Sequence, residues 1–184
     1  MSWIDQRPDD AMAGAFDVVA PDPVNTVDPN IFRDAMSRLG AAVHVVTTAG
    51  QAGKAGFTAT AVCSVSDQPP TLLVCLNRRS QNAPVLQQNR VLCVNTLGAS
   101  EEEVANVFAG RTGAFLADRF QTGKWVTLAT GSPVLESAVV AFDCRVVDIK
   151  QVASHNVIFA AVEAVRLGPS GAALVYHDRA YKQV

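Results

Sequence analysis

Hydroxyl, amide and guanidinium groups are concentrated in one stretch, residues 56–80, which reads GFTATAVCSVSDQPPTLLVCLNRRS. Alternate residues of a strand share a face. A regular strand here would project Thr58, Thr60, Ser64 and Ser66 as one row of hydroxyls and turn Phe57, Ala59, Ala61, Cys63 and Val65 toward a core. Such a row can hold a polar ligand. The stretch ends in Asn77, Arg78, Arg79 and Ser80, and Ser80 reads as a helix N-cap. Free backbone N–H groups and the helix dipole favour an anion such as phosphate there, and two guanidiniums stand beside it. A threonine-rich strand also suits any pleated, half-exposed surface, and arginines beside a turn are commonly solvated. Spacing alone leaves both readings standing.

Other chemistries lack their residues. The glycines of GQAGKAG (50–56) have the wrong spacing for a dinucleotide fingerprint and lead into a strand instead of a helix. There is no P-loop and no G-x-S-x-G elbow. His44, His155 and His177 are far apart in sequence and form no HExxH-type pair; His44, within AVHVV, reads as a satisfied strand histidine. Cys63, Cys75, Cys93 and Cys144 form no CxxC pair and read as buried, reduced thiols.

The elements that must position the polar stretch follow from patterning. Asp28 caps a first helix with Pro29 in its first turn, Ile31, Ala35, Met36 and Leu39 on one face and Gly40 as its end. AVHVVTTA (42–49) is a strand, GQAGKAG a loop, and the next strand starts at Gly56. TLLVCLN (71–77) is apolar on both parities and so predicted buried on both sides. RVLCVNTL (90–97) makes a fourth strand. Short helices are predicted from Ser80 and over 100–110, where Ser100 and Glu103 match a capping box, Val104, Val107 and Phe108 share a face and Gly110 is the stop. VVAFDCRVVDIKQVA, NVIFAAVEAVRLG and ALVYHDRAY return to strands, with a β-bulge near Val146 where apolar parity shifts. Six or seven strands with few helices close most economically as a small antiparallel barrel, which leaves no long exposed edges.

With 184 residues, 49% of them hydrophobic and 17% charged, the chain has material for one domain with a real core. A net charge of −2 with scattered basic residues gives no footprint for nucleic acid. No apolar run approaches the roughly 20 residues that span a bilayer. Prolines and aspartates break every pattern before residue 28, so residues 1–27 are expected to be a flexible tail and 28–184 the folded domain, in the cytoplasm and off the membrane.

The 56–80 run, with FRDAMSRLGAAVHVVTT before it and LCVNTL, FAG, RF, FDCRV, SHNVIF and YHDRAY after it, resembles the short-chain flavin reductases of the FMN-binding split-barrel fold. The match runs in order from about Ile31 to Tyr181. Within the family it looks closest to flavin reductases of pyrimidine utilisation and to reductase components of two-component aromatic monooxygenases.

The resemblance implies a split β-barrel, with flanking helices, that moves hydride from NADH, with NADPH as the alternative donor, to non-covalently bound FMN or FAD. Reduced flavin would pass by diffusion to a partner flavin-dependent monooxygenase. Thr58, Ala59, Thr60 and Ala61 match the segment along the isoalloxazine edge and ribityl chain. Ser64, Val65 and Ser66 match the run beside ribityl and phosphate, and Asn77, Arg79 and Ser80 the approach to the phosphate. Phe108, Ala109 and Gly110 match a segment bordering the flavin across a homodimer interface, and Arg119 and Phe120 a pair near the cofactor. His155 matches a nicotinamide contact, and Tyr176, Arg179 and Tyr181 the C-terminal pocket wall. Hydride passes between stacked rings, so no metal, nucleophile or general base is required. Because the product must leave, flavin affinity should be about micromolar, roughly −8 kcal/mol. A flavin-binding protein without turnover, or a flavin-dependent reductase of another acceptor such as a cobalt corrinoid, are the competing readings.

Overall fold

The computed structural model describes residues 25–184. The tail expected over 1–27 therefore lies, up to residue 24, outside the described residues. The first helix, α1 (Pro29–Ser37), forms as its cap predicts: Asp28 Oδ1 accepts from the N–H groups of Asn30 at 2.8 Å and Ile31 at 3.3 Å. It ends at Arg38, before the predicted Gly40. Its apolar side chains Ile31, Phe32 and Met36, with Leu39 just beyond, remain largely exposed.

Twelve strands follow: β1 (Ala41–Ala42), β2 (His44–Gly50), β3 (Gly53–Ala59), β4 (Val62–Asp67), β5 (Pro70–Asn77), β6 (Val91–Thr96), β7 (Trp125–Thr127), β8 (Pro133–Leu135), β9 (Val140–Val152), β10 (His155–Leu167), β11 (Leu174–His177) and β12 (Ala180–Gln183). Among the described residues, helices α2 (Asn82–Asn89) and α3 (Glu102–Phe108) and a 3-10 helix, Leu116–Gln121, accompany them. Seven strands form one antiparallel sheet in the order β3-β2-β6-β9-β10-β5-β4. Laid flat, it would be about 29 Å wide. Yet its two edges, β3 and β4, are joined only by Thr60 and Ala61, a link that reaches about 10 Å. The sheet must therefore curl until its edges face each other, and they do so without pairing. That open seam makes the barrel a split one.

Two buried clusters follow from the curl. Val46, Val74, Leu76, Leu86, Leu92, Val94 and Ile158 fill the barrel, with Leu86 entering from α2. Val43, Val45, Leu97, Val104, Phe108, Leu135 and Leu174 pack outside it, under α3 and β8. Neighbouring Val45 and Val46 on β2 are both fully buried because the strand has a layer on each side.

Several local expectations are corrected. The β2–β3 hairpin is tighter than predicted: Gly50 pairs with Gly53, so β3 starts three residues before Gly56, and Gly53 takes the positive φ of +89° that the turn needs. The strand does not run regularly through 56–66. It breaks at Thr60–Ala61, and on β4 Cys63, Val65, Ser64 and Ser66 are all exposed. Cys63 and half-buried Cys75 are thus not core thiols, whereas Cys93 and Cys144 are. On β5, Val74 and Leu76 are buried but Leu73 and Cys75 are only partly so, because the outer face of the sheet has no layer over it there. Helix α2 begins at Asn82, and Ser80 serves from one position earlier, its Oγ accepting from Asn82 N–H at 3.3 Å. The capping box does not form, since Glu101 occupies the cap position and makes no side-chain bond. The last predicted strand is two, turned at Asp178 and Arg179 with φ of 50° and 59°. The expected bulge is present: Phe159 pairs with Asp148 and Ala160 with Val146, leaving Val147 extra.

Candidate functional site

The seam opens into a cavity of about 460 Å³. One wall is the end of β3 and the link beyond it, Phe57, Thr58, Ala59, Thr60 and Ala61. The opposite wall is Cys75, Leu76 and Asn77 of β5, with His155 at the start of β10, and Ser80, Gln81 and Asn82 lead into α2. Phe108, Ala109 and Arg119 close the end. Edge strand β3 supplies one wall, and β5 supplies the other where it runs on past its pairing with β4, which ends at Val62↔Val74.

The hydroxyl row is only partly available. Thr58 Oγ1 donates to the Ala105 carbonyl of α3 at 2.7 Å, tying β3 to the outer layer. Thr60 is exposed, and it lines this cavity and two neighbouring hollows. The expected anion site at the helix start is also smaller than predicted. Asn82 N–H is taken by Ser80 Oγ, Ala83 N–H donates to the Ser80 carbonyl at 3.0 Å, and Pro84 has no N–H. Asn77 Oδ1 accepts from Arg79 N–H at 2.9 Å. The Arg79 guanidinium lies outside the cavity, in an adjoining recess where Asn77 forms the shared wall.

Asn82 and Asn156 each hold a buried side-chain oxygen without a partner, and of the two Asn82 lines the cavity. It is 7% exposed, its Nδ2 donates to Ser80 Oγ at 3.2 Å, and its Oδ1 has no partner. A buried acceptor of this kind calls for a donor.

Arg119 is a clamp. Its Nε donates to the Ala114 carbonyl at 3.1 Å and its Nη1 to the carbonyls of Gly56 at 3.0 Å and Phe108 at 3.3 Å. Burial lowers its pKa from the usual arginine value, and it has no carboxylate partner among the described residues. Gly56 belongs to the same joint, since a Cβ there would come within 2.7 Å of Phe108. Burial pushes the Cys75 thiol up, so it faces the cavity protonated. His155 Nδ1 is 2.9 Å from Ser154 Oγ.

Of the sequence-derived residues, the structure brings Thr58, Ala59, Thr60, Ala61, Asn77, Ser80, Phe108, Ala109, Arg119 and His155 to one cavity. Gly110 adjoins Arg119. Phe120 stands behind Phe108, with ring centroids 5.1 Å apart, and does not line the cavity. Tyr176 and Tyr181 line a separate hollow. Four further residues, Ser64, Val65, Ser66 and Arg179, are not brought to this cavity. Ser64, Val65 and Ser66 lie on the exposed edge strand, off the cavity wall. Arg179 is held in an ion pair with Asp34 of α1, because the tight β11–β12 turn points it there. Sequence reasoning missed Phe57, Cys75, Leu76, Gln81 and Asn82. Cys75 was within reach of alternation, two residues before Asn77 on the same face, and Asn82 follows Ser80 in the helix's first turn. His44, by contrast, bonds Thr96 Oγ1 at 3.0 Å away from the cavity, as a strand histidine should, and burial pushes its pKa down to about 4.

Among the described residues no three or more His, Cys, Asp or Glu side chains gather as a metal site, and no helix is long and apolar enough to cross a membrane. Residues 36–184 match the family of flavin reductase-like domains. The chain is 51% identical over 158 residues to the FMN reductase (NADH) RutF of Escherichia coli O139:H28, covering 86% of this chain and 95% of that one. It is similar to the solved ycdh protein of Haemophilus somnus 129PT, with 43% identity, a TM-score of 0.80 and coverage of 86% and 100%. It is also similar to BorF, the flavin reductase component of a bacterial two-component tryptophan halogenase, with 26% identity, a TM-score of 0.79 and coverage of 85% and 98%.

Proposed function

The chain belongs to the family of flavin reductase-like domains, and on that premise we propose that it is an NADH-dependent reductase of FMN or FAD that releases reduced flavin to a partner monooxygenase. The observation that carries the reading is the seam cavity, whose wall holds an orphaned acceptor, Asn82 Oδ1, beside exposed hydroxyl and amide groups.

The residues present fit a flavin. Asn82 Oδ1 would accept from a ribityl hydroxyl, and the phosphate would lie toward Asn77 and the recess lined by Arg78 and Arg79, since Arg119 in the cavity wall already donates to three backbone carbonyls. Thr60, Ala61 and Ala109 would flank the ring system, and His155, paired with Asn77 across β10 and β5, would border the end where the phosphate lies. Bound flavin supplies a two-electron acceptor for the nicotinamide's hydride. The chain's own residues position and shield. Phe57 and Phe108 exclude water from one end, Arg119 fixes the β3 edge against Phe108, and the protonated Cys75 adds no charge to the wall. A flavin held by these polar contacts alone would leave once reduced.

Two copies of the chain would complete the site. The apolar face of α1, with Ile31 64% and Phe32 56% exposed, borders a hollow of about 560 Å³ that shares Thr60 and Ala61 with the cavity. A homodimer packed there would cover apolar surface and close the seam at once. The cytoplasm, where NADH is plentiful, is its proposed compartment.

The test is steady-state loss of NADH absorbance with added FMN, FAD or riboflavin. Turnover that saturates with free flavin is expected; bound flavin without turnover would overturn the reductase reading. Sedimentation of a Met36→Glu variant tests the dimer: it should run as a monomer where the wild type runs as a dimer.

A further inference from the structure

The seam cavity has a smaller neighbour of about 220 Å³, which shares Thr58, Ala59, Thr60 and Ala109 with it and opens toward β11 and β12. The other polar groups on its wall are Tyr176, Tyr181 and Arg111. Arg111 is the one charged side chain lining it. Its Nη1 donates to Asn106 Oδ1 at 2.9 Å, and its guanidinium carbon lies 5.5 Å from the Tyr181 ring centroid. These contacts hold the fork in place without neutralising it, and no ion pair involves it among the described residues. Glu102 is near enough to act on the Tyr181 phenol, but less than Arg111 does. A guanidinium stacked on a ring keeps its in-plane N–H groups for an acceptor such as phosphate.

The Arg79 recess, the seam cavity and the smaller hollow adjoin in series through shared walls, Asn77 on one side and Thr58–Thr60 with Ala109 on the other, with Arg79 in the first and Arg111 in the last, while Arg119 between them is spent on three backbone carbonyls. One phosphate-bearing molecule uses one cationic end. Two, whose rings must meet in the middle, use both. Resting on the reductase reading, we propose that Arg111 binds the pyrophosphate of the reduced nicotinamide dinucleotide, which enters through the smaller hollow opposite the flavin phosphate. The hollow is too small for a whole dinucleotide, so the adenosine half lies outside it.

The test compares wild type, Arg111→Gln and Arg111→Lys in steady-state kinetics and in flavin titration by fluorescence. Losing one charge-assisted contact should raise KM for NADH about tenfold. The value of kcat should change less than KM, flavin Kd should hold at wild type, and Arg111→Lys should recover part of the loss. Flavin Kd also confirms that the variant is folded. An unchanged KM, a matching loss of flavin affinity, or an effect seen with NADPH but not NADH would each overturn the assignment. These outcomes are separate from failure of the reductase reading, which would appear as a wild type that does not oxidise NADH and would remove the inference with it.

Discussion

The two edges that meet at the seam are built in opposite ways. On β3, Gly56 is packed against Phe108, Phe57 is buried, Thr58 is bonded to Ala105 and Arg119 ties the strand to the end wall. On β4, Cys63, Ser64, Val65, Ser66 and Asp67 are all exposed. A single chain thus packs one edge of its sheet, the one that lines the cavity, and leaves the other edge uncovered. The rigid lip can hold a ligand in register. The bare one is where further surface, from a ligand or a second copy, can be added.

The sharpest break of that contrast is at Phe108, 1% exposed and in ring contact with Phe120 and Trp125. Phe108→Ala should cost about 3–5 kcal/mol in urea unfolding, through lost burial and the cavity left behind. It should also weaken flavin binding, since the end wall goes with it.

The next effect is pH dependence on the rigid side. His44, on β2 opposite Ala59, has its pKa pushed down from 6.5 to about 4 by burial. Above pH 6.5 both folded and unfolded chains carry it neutral and it contributes nothing to the slope. Between about pH 6.5 and 4 the unfolded chain takes up a proton that the folded chain refuses, so stability falls as pH falls, by up to about 3 kcal/mol. His44→Gln should flatten the urea midpoint across that window. An equally steep profile would place the titrating group elsewhere.

How far these features could be read in advance differs between the lips. The β3 side was legible because alternation, the Asp28 cap and the Val104, Val107, Phe108 face are local patterns that tertiary packing reinforces. The break at Thr60–Ala61 was not, because neither residue is a turn former; it is imposed by the need for the chain to pass from one sheet edge to the other. The capping box failed for a similar reason. Ala99 N–H bonds the Ala172 carbonyl and Glu101 N–H the Gly98 carbonyl, so long-range pairing sets the start of α3 one residue later than Ser100 proposes. Regular alternation and the resemblance both put Ser64 and Ser66 beside the ligand, and the resemblance adds Val65; a break two residues long moves all three off the wall. Arg179 was drawn to α1 by Asp34, a partner 145 residues away that no local pattern reveals.

A subtler test separates the two threonines. Thr58→Val removes the donor to the Ala105 carbonyl and should lower stability by about 1 kcal/mol. Thr60→Val, exposed at the junction of three hollows, should leave stability within about 0.5 kcal/mol and weaken flavin binding. The opposite assignment, with Thr60 the stabilising residue, would mean that the β3 edge is held from the seam side.

The smallest energetic effect belongs to β4. Cys63→Ser should change stability by no more than about 0.5 kcal/mol, because the side chain is exposed and the edge strand keeps its pairing with β5. Its chemistry should still set it apart. Burial pushes the Cys144 thiol up to about 12 and the Cys93 thiol higher still, so neither offers a thiolate near neutral pH. Cys63 has no such cover. Alkylation of the native protein followed by peptide mass mapping should label Cys63 first and leave Cys93 and Cys144 unlabelled until unfolding. If a second copy covers the β4 lip, Cys63 labelling should slow as protein concentration rises, while the unfolding-gated labelling of Cys93 keeps its rank. The same thiol therefore reports both that the lip is bare in one chain and whether another chain closes it.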